Sequence, residues 1–217
     1  MTATAVPSRP AAPRVSAPRG SAPRYGWVAI VLHWTIGLGI LAMLAMGLAM
    51  AHAPLAPLLK FKLYQLHKSV GITILLAAVL RLLWRFTHRP PPLPDAMPAW
   101  ERRAAEGTHV LLYGFMIGLP LVGWALVSAA PLNIPTVLYG VLPWPHIPVT
   151  AWFGWSKAQA APVLTFLHAY GAYALIGLFV LHAGAALRHH LVLRDDVLRR
   201  MIPGLPRPGH RTTERLP

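Results

Sequence analysis

The chain has 217 residues, of which 55% are hydrophobic and only 12% charged, and it contains no cysteine. Twenty Lys and Arg face six Asp and Glu. This excludes a disulfide scaffold, a Cys-ligated zinc or iron–sulfur site, and a disordered basic polypeptide, which would be poor in Leu, Ile, Val and Phe. No nucleic-acid partner is expected; the composition reads as one integral membrane domain in contact with lipid.

The first 24 residues are rich in Pro, Ala, Ser and Arg, cannot bury a core, and read as a disordered cytoplasmic tail. A cleaved signal peptide fits poorly, because the apolar run that follows is long enough to span a bilayer. No charged side chain occurs between Arg24 and Lys60, between Glu106 and Lys157, or between Lys157 and Arg188. A crossing of ~30 Å of hydrocarbon needs roughly 20 apolar residues. The pattern predicts four spans, at about 27–50, 65–86, 107–129 and 163–187. Basic side chains at the ends of the second span can snorkel. Pro90, Pro91, Pro92 and Pro94 make the connection after it stiff. The loop over about 130–162 carries Tyr139, Trp144, Trp152, Phe153 and Trp155 among Pro131, Pro135, Pro143, Pro145 and Pro148. It predicts one or two short interfacial helices folded over the outer mouth, and no β pattern is evident.

With both termini cytoplasmic, 16 of the 20 basic residues lie inside, and only Lys60, Lys62, Lys68 and Lys157 lie outside. The positive-inside rule selects that orientation. The expected organisation is a tail over 1–24, a four-helix all-α membrane domain over 25–202 and a cytoplasmic tail over 203–217.

Histidine carries the chemistry. Five of eleven, His33, His67, His109, His168 and His182, fall within predicted spans, where ionisable groups are functional candidates. His33 and His182 lie near the inner ends of the first and fourth spans; His67 and His168 lie near the outer ends of the second and fourth. His168 and His182 are 14 residues apart, nearly four turns, so they share one face about 21 Å apart along the axis. One helix therefore presents imidazoles at two levels, each facing a partner from another helix. Two imidazoles per level, without Cys, Asp or Glu, suit the two axial positions of haem iron better than tetrahedral zinc. No C-x-x-C-H motif exists, so two non-covalent b haems are expected. Small residues one turn on, Gly37, Gly71, Gly171 with Ala172, and Ala185 with Ala186, favour His33, His67, His168 and His182 as axial ligands. His109 has Leu112 and Tyr113 there instead. Arg81 and Arg85 are natural partners for haem propionates.

Leu32-His33-Trp34, His67-Lys68-Ser69-Val70-Gly71, Arg81-Leu82-Leu83-Trp84-Arg85, His109-Val110-Leu111-Leu112-Tyr113 and Ala185-Ala186-Leu187-Arg188-His189-His190 occur in an order and spacing that resembles the bacterial cytochrome b561 family, over roughly residues 25–202. The resemblance implies a di-haem membrane cytochrome of the bacterial inner membrane that acts as a superoxide oxidase, with ubiquinone as acceptor and no obligatory protein partner. His109, Arg85, His189 and His190 are candidates for a quinone pocket at the inner side. The outer lysines, Lys68 above all because it adjoins His67, are candidates for steering superoxide. Two alternatives stay open: a cytochrome subunit fed by a partner dehydrogenase or hydrogenase, and a His-based proton transporter.

Overall fold

The computed structural model describes residues 24–94, 97–202 and 204–205. The expected tails, apart from Arg24, Gly204 and Leu205, lie outside the described residues, as does His210. Among the described residues, four helices are long and apolar enough to cross a membrane. They are α1 (Trp27–His52), α2 (Pro57–Thr87), α3 (Ala99–Ala129) and α5 (Lys157–Arg188). Each of the last three starts six to eight residues before its predicted span. These extra first turns hold Lys60 and Lys62 in α2, Glu101, Arg102 and Arg103 in α3, and Lys157 in α5. Such side chains read as loop, yet a helix keeps its backbone bonded as it leaves the hydrocarbon.

Local signals explain the ends. Pro57 stands in the first turn of α2, where its missing N–H is no loss. Ser156 caps α5 in a reciprocal box with Gln159, an arrangement that contributes about 1 kcal/mol. Pro120 lies inside α3, where it removes one helical hydrogen bond.

α1 packs on α2, α2 on α3, and α3 on α5; α1 and α5 make no comparable backbone contact. The main core is Ile36, Ile40, Ile74, Ala78, Met116 and Leu175, in the middle of the bundle. Leu38, Leu80, Val110 and Leu181 point outward and are largely exposed. That apolar belt is the face expected of a protein solvated by lipid.

The segment between α3 and α5 departs from the expectation. It contains a β-hairpin, β1 (Thr136–Leu138) against β2 (Leu142–Trp144), followed by a single short helix, α4 (Val149–Phe153). Tyr139 and Gly140 turn the hairpin with positive φ of 52° and 75°. For tyrosine that conformation is strained, and contacts to α2 hold it. The Tyr139 N–H donates to Ser69 Oγ at 2.9 Å, and the Tyr139 hydroxyl lies 2.7 Å from Thr73 Oγ1. Trp124 Nε1 donates to the Pro145 carbonyl and the Ile147 N–H to Ser128 Oγ, tying the rest of the loop to α3.

At the opposite end the chain after α5 turns back. His189–Leu193 form a π turn, and Trp34 Nε1 donates to the Met201 carbonyl at 2.8 Å. Arg200 donates to the Pro92 carbonyl. The C-terminal segment thus straps α1 to the connection between α2 and α3.

Candidate functional site

At the hairpin end, α2 and α5 bring His67 and His168 face to face, with ring centres 6.1 Å apart and planes at 75°. The Nδ1 of His168 donates to the Leu119 carbonyl at 3.2 Å. That bond fixes the tautomer and leaves Nε2 with a free lone pair. Gly123, one turn further along α3, lies against the same ring: a Cβ there would stand 2.8 Å from Cε1. Gly47 of α1 lies beside His67, where a Cβ would be 3.7 Å from Cε1. The His67 Nδ1 is buried and has no hydrogen-bond partner among the described residues. A cavity of about 370 Å³ opens around the two rings, with Met43, Gly47, Gly71, Phe115 and Gly123 in its wall.

At the arginine end, α1 and α5 bring His33 and His182 to the same separation, 6.1 Å, with planes at 66°. His109 of α3 is also there, its ring centre 5.5 Å from that of His182. Both arginines of α2 converge on Tyr113. Arg81 Nε donates to its hydroxyl at 3.2 Å, and the Arg81 and Arg85 guanidinium carbons lie 5.9 and 5.7 Å from its ring centre. Tyr25, just before α1, joins this cluster: burial pushes its phenol up, against the pull of Arg85, Arg200 and Arg81. Among the described residues no carboxylate pairs with Arg81 or Arg85. The pair is set to receive an anion. Sequence reasoning passes over Tyr113 and Tyr25; the four-residue interval from His109 to Tyr113 does place that tyrosine on the histidine's face of α3.

The remaining candidates separate. His189 is buried and its Nδ1 lies 2.5 Å from Asp195 Oδ2. His190 Nδ1 is buried with no partner among the described residues. Neither ring is paired with His33, His109 or His182 among the described residues. Lys68 Nζ donates to the Pro135 carbonyl at 3.1 Å and Lys157 Nζ to Asn133 Oδ1 at 3.1 Å, so two of the four lysines fasten the loop. Lys60 and Lys62 make no hydrogen bond to a described side chain or carbonyl beyond their own helix. No cluster of three metal-binding side chains occurs among the described residues.

Four membrane-length helices carrying facing imidazoles at two depths have the architecture of a membrane b-type cytochrome. The prokaryotic cytochrome b561 profile matches residues 24–204, and the chain belongs to that family. It is 33% identical over 180 residues to cytochrome b561 homolog 2 of Escherichia coli K12, covering 82% of this chain and 91% of that one. It is 27% identical to cytochrome b561 homolog 1 of the same organism, over 83% of this chain and 97% of that one. It is 29% identical to the probable superoxide oxidase CybB of Yersinia pestis, over 83% and 96%. The protein is therefore a bacterial membrane cytochrome with an electron-transfer role, and its family implies haem b.

The residues present fit that group. A metal–imidazole bond is about 2 Å, and two such bonds in line, each ring centre about 1 Å behind its nitrogen, put the ring centres roughly 6 Å apart. Both 6.1 Å pairs meet this. The 5.5 Å pair of His109 and His182 is closer than a straight arrangement requires. The orphaned Nδ1 of His67 and the absence of close backbone packing between α1 and α5 agree with a planar group among these rings.

Proposed function

We propose that the protein is a di-haem electron carrier of the bacterial inner membrane that oxidises superoxide on the periplasmic side and reduces ubiquinone. His67 and His168 would hold one haem, and His33 and His182 the other. The observation that carries this reading is the repetition of one ring-to-ring distance, 6.1 Å, at two levels of the bundle. Haem held between imidazoles supplies one-electron transfer. The chain's own residues do the rest. Leu119 fixes the tautomer of His168, and Tyr113 holds Arg81 and Arg85 where propionates would bind. The overall reaction takes two superoxide anions, one quinone and two protons to two dioxygen and one quinol. The positive-inside rule favours both tails, 1–24 and 203–217, in the cytoplasm, flanking a membrane domain over 25–202.

Superoxide as donor is supported by the relative named as a probable superoxide oxidase and by the outer lysines. Pyridine haemochrome assay should give about two b haems per chain, both low-spin, as two bis-imidazole sites require. One haem per chain would overturn the two-site reading. The reaction is tested by supplying superoxide enzymatically to purified protein with a soluble ubiquinone. Quinol should form in proportion to superoxide consumed. Reduction of the protein by quinol but never by superoxide would shift the donor to a partner protein.

The lysine contacts change the steering expectation. Lys60 and Lys62 are the cations with no tie to the loop, so the Lys60→Gln/Lys62→Gln pair should slow superoxide-driven reduction several-fold at low salt. The difference should vanish toward 1 M salt, where the Debye length is about 3 Å. Lys68→Gln should slow it at every ionic strength, because it also releases the Pro135 contact. Stopped-flow absorbance after a superoxide pulse at several salt concentrations separates the two.

A further inference from the structure

Trp34 follows His33 on α1, and adjacent helical positions point about 100° apart, so helix geometry alone does not bring their rings together. The two rings nevertheless meet edge to face, with centres 5.4 Å apart and planes at 78°. The indole is held by the far end of the chain. Trp34 Nε1 donates to the Met201 carbonyl at 2.8 Å, a bond across 167 residues. A tryptophan that only anchors a helix at the membrane surface turns its N–H to headgroups or water. Trp34 spends its N–H on a backbone carbonyl of the C-terminal strap.

The strap itself is anchored. Met201 follows the single turn Leu198–Arg200, and its N–H returns to the Leu198 carbonyl at 3.0 Å. Arg200 donates to the Pro92 carbonyl, and Arg199 Nε to the Leu205 carbonyl at 3.0 Å. The Arg200 charge also acts on the Tyr25 phenol, together with Arg85 and Arg81. Neighbouring strap residues thus reach both the arginine cluster and the indole beside His33. The two ends of the bundle orient their rings differently. His168 is tied to the Leu119 carbonyl, whereas among the described residues His33 and His182 make no hydrogen bond. The ring torsion of histidine is broad and roughly two-fold, so packing has to select the plane of His33. Its aromatic neighbours among the described residues are His182 and Trp34.

We propose that Trp34 is the positioning residue of His33, and that the C-terminal strap, through the Met201 carbonyl, sets the plane of this imidazole. This rests on the reading of His33 and His182 as axial ligands of one haem. The angle between two axial imidazole planes governs the anisotropy of the low-spin ferric EPR signal. Contacts made to a ligand from outside also tune the potential of its iron. The His33 and His182 planes stand at 66°, well away from parallel. The segment after α5 therefore bears on the potential of the haem at the arginine end, although it supplies no ligand to it.

The test uses the purified full-length holoprotein, oxidised for EPR and titrated for its potentials. Trp34→Phe keeps an aromatic ring and deletes the N–H. It should retain both haems, move the low-field EPR feature of one of them toward that of more nearly parallel rings, and shift the midpoint potential of the same haem. The haem affected should be the one that His67→Ala retains. Trp100→Phe, where the indole is exposed on α3, should leave both signals in place. Should Trp34→Phe fail to hold haem, a tryptophan isostere with sulfur in place of the indole N–H, introduced at position 34, deletes the bond and keeps the shape, and the same shift is expected. Wild-type signals and potentials in Trp34→Phe or with the isostere would overturn the proposal, as would a change confined to the haem that His67→Ala removes. Retention of both haems in His33→Ala would instead remove the ligand reading on which the proposal rests.

Discussion

His182→Ala should give a protein with about one haem per chain and no superoxide-driven quinone reduction. His182 is the ring that both His33 and His109 face, at 6.1 and 5.5 Å, so no rearrangement among the other two replaces it. The remaining pair at the hairpin end would keep its own ligands but lose its route across the bundle, some 21 Å along α5. Absorbance difference spectra with a haem-to-protein ratio measure the first effect, and quinol formation the second. The companion variants decide the pairing. His33→Ala should reproduce His182→Ala in both measurements. His109→Ala should keep both haems, because its separation from His182 is shorter than an in-line metal bridge. The opposite outcome, loss with His109→Ala and retention with His33→Ala, would reassign the ligand to α3. Bound haem also stabilises the folded state by mass action, so His182→Ala should melt below the wild-type protein, and His109→Ala should not.

Much of this geometry is legible in the amino-acid sequence. Charge-free stretches locate three of the four crossings, an apolar run with basic side chains only toward its ends locates the second, and the 14-residue interval between His168 and His182 puts two rings on one face of α5. What escapes has physical causes. The helices start earlier than composition predicts because the first turns of α2, α3 and α5 carry Lys, Arg and Glu, which resemble loop. The hairpin escapes because its strands have three residues each and one contains Pro143. They hold together through Ser69, Thr73 and Lys68 of a distant helix rather than through any alternation of their own. The small residues one turn from the histidines are expected to make room for a porphyrin; the small residues that touch the rings themselves lie elsewhere. A Cβ on Gly37, one turn from His33, would meet nothing within 4 Å, and one on Gly171 would meet Leu119. The glycines that touch the rings, Gly47 and Gly123, come from neighbouring helices, and no spacing within one helix reveals a contact between two. Asp195 escapes for a related reason: a π turn and a left-handed Arg194 bring it back to His189 across six residues, outside helical periodicity.

Gly123→Val should remove the haem at the hairpin end and leave the other in place. A Cβ at this position would lie 2.8 Å from His168 Cε1 and 3.2 Å from Nδ1. The ring has little freedom to retreat. Its Nδ1 is bonded to the Leu119 carbonyl on the same helix as Gly123, and its other side faces His67. A single added methyl, Gly123→Ala, therefore costs about 1–3 kcal/mol of overpacking unless the ring tilts and gives up the Leu119 bond. Either response turns Nε2 away from the line joining the two imidazoles. Gly123→Ala should then weaken haem retention and shift the spectrum, while the branched side chain of Gly123→Val should abolish binding at that level. The control is Gly114→Ala on the same helix, where the new Cβ meets nothing within 4 Å. It should leave both haems and raise stability by ~0.5–1 kcal/mol, the usual gain for replacing glycine within a helix. The spectrum of Gly123→Val should coincide with that of His67→Ala, because both lose the same site by different means. Retention of two low-spin haems in Gly123→Val would show that α3 yields at this point, and the close approach of Gly123 to His168 would then carry no weight in holding the ligand.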